Sequence, residues 1–332
     1  MNSRISYIDA LRGFAIILVV IGHLVQNNYS DAYHNSIFNV IYSIHMPLFF
    51  FISGCVAKRH IINTESYSCG NNSIISRSRK ACLGGGIKLA NKAFALILPS
   101  ILWTVLVPNY FSNFSISESI SNFWFLNTLF VVLILWEFIQ EIIFVVGDRY
   151  KYFVMGVISV AFIFLFVIGI SRFTIMYFIM FIIGYLTKRY NFIEHIPSWI
   201  ISILCIMFLL FVTNFSFGSN ASGDPERIFW EFPLSIMASI VLLYVFSKFE
   251  SKTYLYKAVE YIGKFTLGIY VCHFYFVNIP SLEGIQNGCT VVSQIFILAA
   301  IAVLICFLCI LIEKFIQPIT YLYKAMYGKF KI

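Results

Sequence analysis

The chain has 332 residues, of which 60% are hydrophobic and 11% charged, with a net charge of +8 and a mean hydropathy of +0.86. That balance excludes a water-soluble domain and fits a polytopic membrane protein. The basic excess does not point to nucleic acid, because Lys and Arg are scattered between apolar runs and form no patch; it reads as membrane topology.

A helix needs roughly 20 apolar residues to cross the hydrocarbon core, and runs of about that length predict about ten spans. They lie near 7–26, 36–56, 91–110, 122–146, 152–170, 173–187, 196–213, 228–247, 261–280 and 291–316. Arg4 and the first run look like a secretory signal, but Asp9 and Arg12 interrupt its entry and no A-x-A site follows, so it is expected to stay attached as the first span. The fifth and sixth runs are parted only by "GISRF", where Gly169 and Ser171 allow a tight turn. With the N-terminus inside, the inner segments collect nearly all the Lys and Arg, and the outer ones keep only Arg172 and Arg227. Such sorting is the positive-inside pattern and predicts that both termini are cytoplasmic. Residues 57–90, rich in Ser, Asn, Gly and base, form the one long inner loop. The fold expected is therefore all-α: a polytopic membrane helical bundle forming a single domain over 1–332.

Ionisable groups inside spans are costly, about 2.5–3.5 kcal/mol at a helix centre on insertion scales, and are functional candidates for that reason. Asp9 and Arg12 share a helical face, and either pair at the cytoplasmic interface or serve a site. His23 follows Arg12 by eleven residues, which returns it to nearly the same face roughly 16 Å along the axis. The two residues are expected to line one stripe of one cavity. His45 is either a candidate for chemistry or a hydrogen-bonding residue where Pro47 frees a backbone carbonyl. Ser53 and Gly54, at the end of "FFFISG", permit close packing. Trp124 sits near the outer interface with Asn127 a little deeper. Glu137 and Glu141 read as interface anchors, with Arg149 and Lys151 as neighbours. Glu231, at the outer entrance of the eighth span, either contacts a polar acceptor or pairs locally with Arg227 at i, i+4. His273 lies at a depth similar to that of His23, where interhelical hydrogen bonding is the competing role.

Other chemistries have no pattern to stand on. No HExxH or clustered carboxylates suggest a metal, "LGGGIK" lacks the spacing of a phosphate-binding loop, and no G-x-S-x-G elbow occurs. The eight Cys suggest neither a disulfide framework nor a zinc site; Cys205, Cys272, Cys306 and Cys309 lie in apolar runs, where a thiol packs as a small hydrophobe.

The segments "YIDALRGFAIILVVIGHL", "HMPLFFFISG", "WFLNTLF" and "YIGKFTLGIYVCHF", in this order, resemble the acyltransferase-3 family of bacterial integral-membrane O-acyltransferases. The likeness covers nearly the whole chain and lies nearest the branch linked to fucose 4-O-acetylation and related sugar acetylation. Arg12 and His23 match the family's Arg/Lys, ten residues, His signature. The Phe-Phe…Ser-Gly element falls on Phe50, Phe51, Ser53 and Gly54, and the C-terminal Gly…Thr…Tyr…His element on Gly263, Thr266, Tyr270 and His273. The family's Arg-x-x-Arg pattern before a Pro, associated with the acyl donor, is replaced here by "KLANKAFALILP", in which Lys88 and Lys92 are point charges without the planar fork of Arg.

The resemblance implies a bacterial inner-membrane enzyme that takes an acetyl group from acetyl-CoA and delivers it to a hydroxyl of a sugar or polysaccharide acceptor, lipid-linked or free. It needs no metal. His23 would act as general base, or form an acyl-His intermediate, with Arg12 and Asp9 beside it; His45, Ser53, Trp124, Asn127, Glu231, Tyr270 and His273 would border the acceptor, and Arg12, Lys88 and Lys92 the donor. A rival class is a proton-coupled carrier of a small polar solute or acyl group, whose expected mark is paired broken helices in two related halves; no such halves are apparent.

Overall fold

The structure is a computed structural model that describes residues 5–57, 91–104, 123–146, 150, isolated positions between 153 and 161, 172–217, 225–249 and 253–329. All regular structure among these residues is helical. In chain order the main helices are α1 (Ser6–Asn28), α2 (Ser36–Tyr42), α3 (His45–Cys55), α4 (91–104), α5 (Trp124–Val146), α6 (Arg172–Arg189), α7 (Ser198–Val212), α8 (Pro225–Lys248), α9 (Tyr254–Gly263), α10 (Thr266–Cys272), α11 (Val291–Ile316) and α12 (Thr320–Met326). The chain divides into two compact units, Met1–Val56 with Met176–Thr320, and Ala57–Ile175 with Tyr321–Ile332.

In the first unit α1 is the central helix. It packs against α2, α3, α8, α9, α10 and α11, and Leu11, Ala15, Ile16, Val20 and Leu24 along it are fully buried. In hydrocarbon, helices gain little from hiding apolar surface from one another, so they associate through close packing of small residues. Gly13 of α1 lies against the backbone of Val259 and Gly263 in α9, and Gly263 lies in turn against Asp9. Gly54 of α3 and Gly184 of α6 make the same kind of approach, to the backbones of Phe181 and Phe51. A Cβ at any of these four positions would run into main-chain atoms. Lipid-facing surfaces are equally legible: α11 buries Gln294, Leu298, Ala302, Ile305 and Cys309 in one stripe, while Phe296, Leu304 and Leu311 on its other face are 61–72% exposed. Cys306 and Cys309 form a C-x-x-C on that buried stripe, with the buried Cys272 beside Cys309. Large apolar side chains turned outward in this way belong to a helical membrane protein.

The second unit is described through α4, α5 and the chain end. Lys92 of α4 holds Glu137 of α5 at 2.7 Å. Trp103 Nε1 donates to the Met326 carbonyl at 3.1 Å. Gly328 takes a positive φ of 61° against the backbone of Ala95, a conformation and a distance that favour glycine.

Five described segments are long and apolar enough to cross a membrane: Ser6–Asn28, Ser36–Cys55, Trp124–Ile143, Arg227–Lys248 and Val291–Ile316. The expected runs 173–187 and 196–213 are helices of 18 and 15 residues. The run 152–170 and the loop 57–90 lie almost wholly outside the described residues. Two expected spans are not single helices. The run 36–56 bends at Ser43 and Ile44, so that Pro47 falls in the first turn of α3, where its missing N–H needs no partner. The run 261–280 is split by Lys264 and Phe265, continues as α10, tightens into a 3-10 turn over His273–Tyr275 and becomes irregular at Val277.

Candidate active site

The C-terminal end of α1 carries the polar cluster. His23, half-buried, has Nδ1 3.0 Å from Gln26 Oε1. Its ring faces that of His273 at 5.2 Å and that of Phe274 at 4.7 Å between centroids. His273 is completely buried, donates Nδ1–H to the Ile269 carbonyl at 3.0 Å, and keeps a buried Nε2 with no hydrogen-bond partner. Tyr270, also buried, stands 6.0 Å from the His273 ring. On the other side, His45 donates Nδ1–H to the Ile41 carbonyl at 2.8 Å and meets the Tyr42 ring edge-on at 4.5 Å. His273 and His45 therefore both spend Nδ1 on a main-chain carbonyl one turn earlier, which leaves Nε2 as the nitrogen with a lone pair.

Asn28 explains how the irregular segment after His273 is held beside α1. Its Nδ2 donates to Leu24 and to Val277 carbonyls, both at 2.7 Å, and its Oδ1 accepts the N–H of Ile279 at 2.6 Å. One buried side chain thus satisfies main-chain groups that the broken helix leaves open.

The remaining candidates divide. Asp9 is buried and pairs with Arg12 at 3.3 Å, while its second oxygen, Oδ2, is buried with no partner. A recess of about 220 Å³ near the N-terminal end of α1 is lined by Tyr7, Lys188, Asn191, Glu194 and Lys248, among others. Ser53 donates its hydroxyl to the Phe49 carbonyl at 2.8 Å, so its polar group is spent within α3. Trp124, exposed, and Asn127, half-buried, stand in the first turn of α5 in the second unit. Lys92, expected beside the donor, pairs with Glu137 at 2.7 Å; Arg149 and Lys151, expected as that carboxylate's neighbours, lie outside the described residues. Lys88 lies outside the described residues.

Glu231 is 1% exposed and pairs with Arg227 at 2.9 Å, the local i, i+4 arrangement; the Arg227 guanidinium also covers the Phe217 ring at 3.9 Å. Removing one partner of such a buried pair leaves the other uncompensated and costs roughly 3–5 kcal/mol. Arg227→Leu is accordingly expected to lower thermal stability in detergent sharply, and Arg227→Leu with Glu231→Leu to recover most of the loss. A double variant no more stable than the single one would show that the unpaired carboxylate is not the cause.

Against this geometry stand three comparisons. The model of an acyltransferase domain family, Acyl_transf_3, matches residues 5–312. The chain belongs to the acyltransferase-3 family. Two nodulation proteins, both NolL, from Sinorhizobium fredii and Mesorhizobium japonicum, are each 32% identical to it over 110 residues, 32% of this chain. The matched stretch spans about a quarter of each relative, 25% and 24% of their lengths. No solved structure matches this chain.

Gln26, Asn28 and Tyr42 were not picked out by motif. Gln26 carries a usable signal, a polar side chain three residues after His23 on the same face of an apolar helix. Tyr42 carries none, since its approach depends on how the chain bends back between α1 and α2.

Proposed function

We propose that this protein is a membrane O-acetyltransferase that moves an acetyl group from acetyl-CoA to a sugar hydroxyl of a surface polysaccharide or its lipid-linked precursor. Both units serve one acyltransferase domain in the bacterial inner membrane, with both chain ends in the cytoplasm. The observation that carries the reading is the meeting of His23 with His273 and Phe274 at the end of α1, in a chain whose family transfers acyl groups.

In the reaction, the sugar oxygen attacks the thioester carbonyl as its proton passes to His23 Nε2. The C–S bond then breaks, the proton goes to the departing thiolate, and the products are the O-acetyl sugar and free CoA. An imidazole suits both transfers because its ordinary pKa lies near 6.5. His273, its ring 5.2 Å from that of His23, borders the acceptor site from behind the base. The recess with Lys188 and Lys248, near the end of α1 that carries Arg12, draws the phosphates of the donor.

Purified protein in nanodiscs, given labelled acetyl-CoA and lipid-linked glycan, is expected to release CoA and label the glycan in equal amounts. Exchange of solute across liposomes without release of CoA would instead mark a carrier. Mass spectrometry of surface glycans from a strain lacking the chain then identifies the acceptor, as the glycan that has lost an acetyl group.

A further inference from the structure

The His23 ring is held at one nitrogen by an amide that is itself held. Gln26 Oε1 lies 3.0 Å from His23 Nδ1 and accepts the Tyr42 hydroxyl at 2.8 Å. A carbonyl oxygen only accepts, so Nδ1 and the tyrosine hydroxyl both donate, and the lone pair of His23 is on Nε2. Flipping the amide would reverse both bonds and move the imidazole proton to Nε2, the wrong nitrogen for a base.

Packing fixes the other end of this chain of bonds. Gly22, beside His23, leaves room for the Tyr42 ring, whose Cε2 lies 3.0 Å from where a Cβ would stand. Phe38 stacks on Tyr42 at 3.8 Å and Phe217 meets it edge-on at 4.7 Å. The ring is therefore confined on several sides, and its hydroxyl is delivered to the amide oxygen.

We propose that Gln26 and Tyr42 are positioning residues for the proton acceptor: Gln26 sets the tautomer and orientation of His23, and the Tyr42 hydroxyl holds the Gln26 amide in place. This rests on the proton-accepting role of His23 proposed above. Neighbours that bond the second nitrogen of a working histidine govern its tautomer, and losing such a partner in metal sites costs about 10–100-fold.

The test uses the full chain in nanodiscs with 15N-labelled histidine, the His23 signals being assigned by their loss in His23→Ala. The wild type is expected to show His23 protonated at Nδ1, and Gln26→Leu a mixture of tautomers. In the same preparations Gln26→Leu should lower kcat by about 10–100-fold with little change in KM for acetyl-CoA. Tyr42→Phe should cause a smaller loss. Gln26→Glu keeps an accepting oxygen and adds a charge, so it should retain most activity and carry the acid limb of the pH–rate profile upward by roughly one to three pH units. Among the described residues, titratable and charged groups around this point include His273, His45, Tyr33 and Arg227, the last acting on Tyr42 and His45; all are common to the variants compared.

Protonation of His23 at Nε2 in the wild type would overturn the proposal. So would a Gln26→Leu enzyme of full rate, or a Gln26→Glu profile superimposed on that of the wild type. An active His23→Ala enzyme is a separate failure, and it sinks the proton-acceptor reading itself. Should Gln26→Leu fail to fold, the wild-type tautomer and the isosteric Gln26→Glu profile still decide.

Discussion

His23→Ala is expected to lower acetyl transfer by at least about 10²-fold, the lower bound for a positioned general base, with expression and membrane insertion unchanged. The fold should tolerate it because His23 is half-buried near the end of α1, and its one hydrogen-bond partner, Gln26, keeps the Tyr42 hydroxyl. What disappears is the nitrogen that takes the sugar proton. His273 does not replace it readily: it is completely buried, and its Nδ1 is committed to Ile269. Label transferred from acetyl-CoA to glycan, measured on protein shown by size-exclusion chromatography to be monodisperse, gives the result.

The second large effect concerns folding. Gly263→Ala places a methyl group against the carbonyl of Asp9, a main-chain atom of α1 that cannot swing aside as a side-chain tip could. Overpacking a core costs roughly 1–3 kcal/mol where side chains can adjust, and here α1 and α9 must separate, so the loss is expected at or above about 3 kcal/mol. The same displacement moves Asp9 and Arg12, which stand on the α1 turn facing Gly263. Thermal unfolding in detergent measures this, with Gly284→Ala as the control. Gly284 has open space where its Cβ would go, so that change should be neutral or slightly stabilising. Equal melting temperatures for the two variants would show that the α1–α9 approach is looser than the structure has it.

Apolar run length made the long helices legible. The run at 291–316 is α11 to the residue, and the runs at 7–26, 122–146 and 228–247 are α1, α5 and α8 within a few residues. Apolarity reports the solvent around a segment, however, and not whether its backbone continues. The run 261–280 looked like one span, yet it breaks at Lys264 and again after His273, where Asn28 supplies the hydrogen bonds that a continuous helix would have made for itself. The similar depth of His23 and His273 was legible; that their rings meet was not, since depth alone does not say which helices adjoin. The chain from His23 through Gln26 to Tyr42 was not, because it crosses the bend between α1 and α2 and depends on the missing side chain of Gly22. Charge sorting was similarly partial. It grouped Lys92 with the inner base but could not say that a carboxylate 45 residues onward, Glu137, would claim it.

The proton-accepting role of His23 is tested most directly by chemical rescue. His23→Gly opens space for a small free base, and a series of substituted imidazoles supplies bases of graded strength. Transfer should return, at a rate that rises with the basicity of the added imidazole, as expected when a proton moves in the transition state. A His23→Gly enzyme that transfers acetyl groups at the wild-type rate with no imidazole added, or a rescue equal for weak and strong bases, would contradict it.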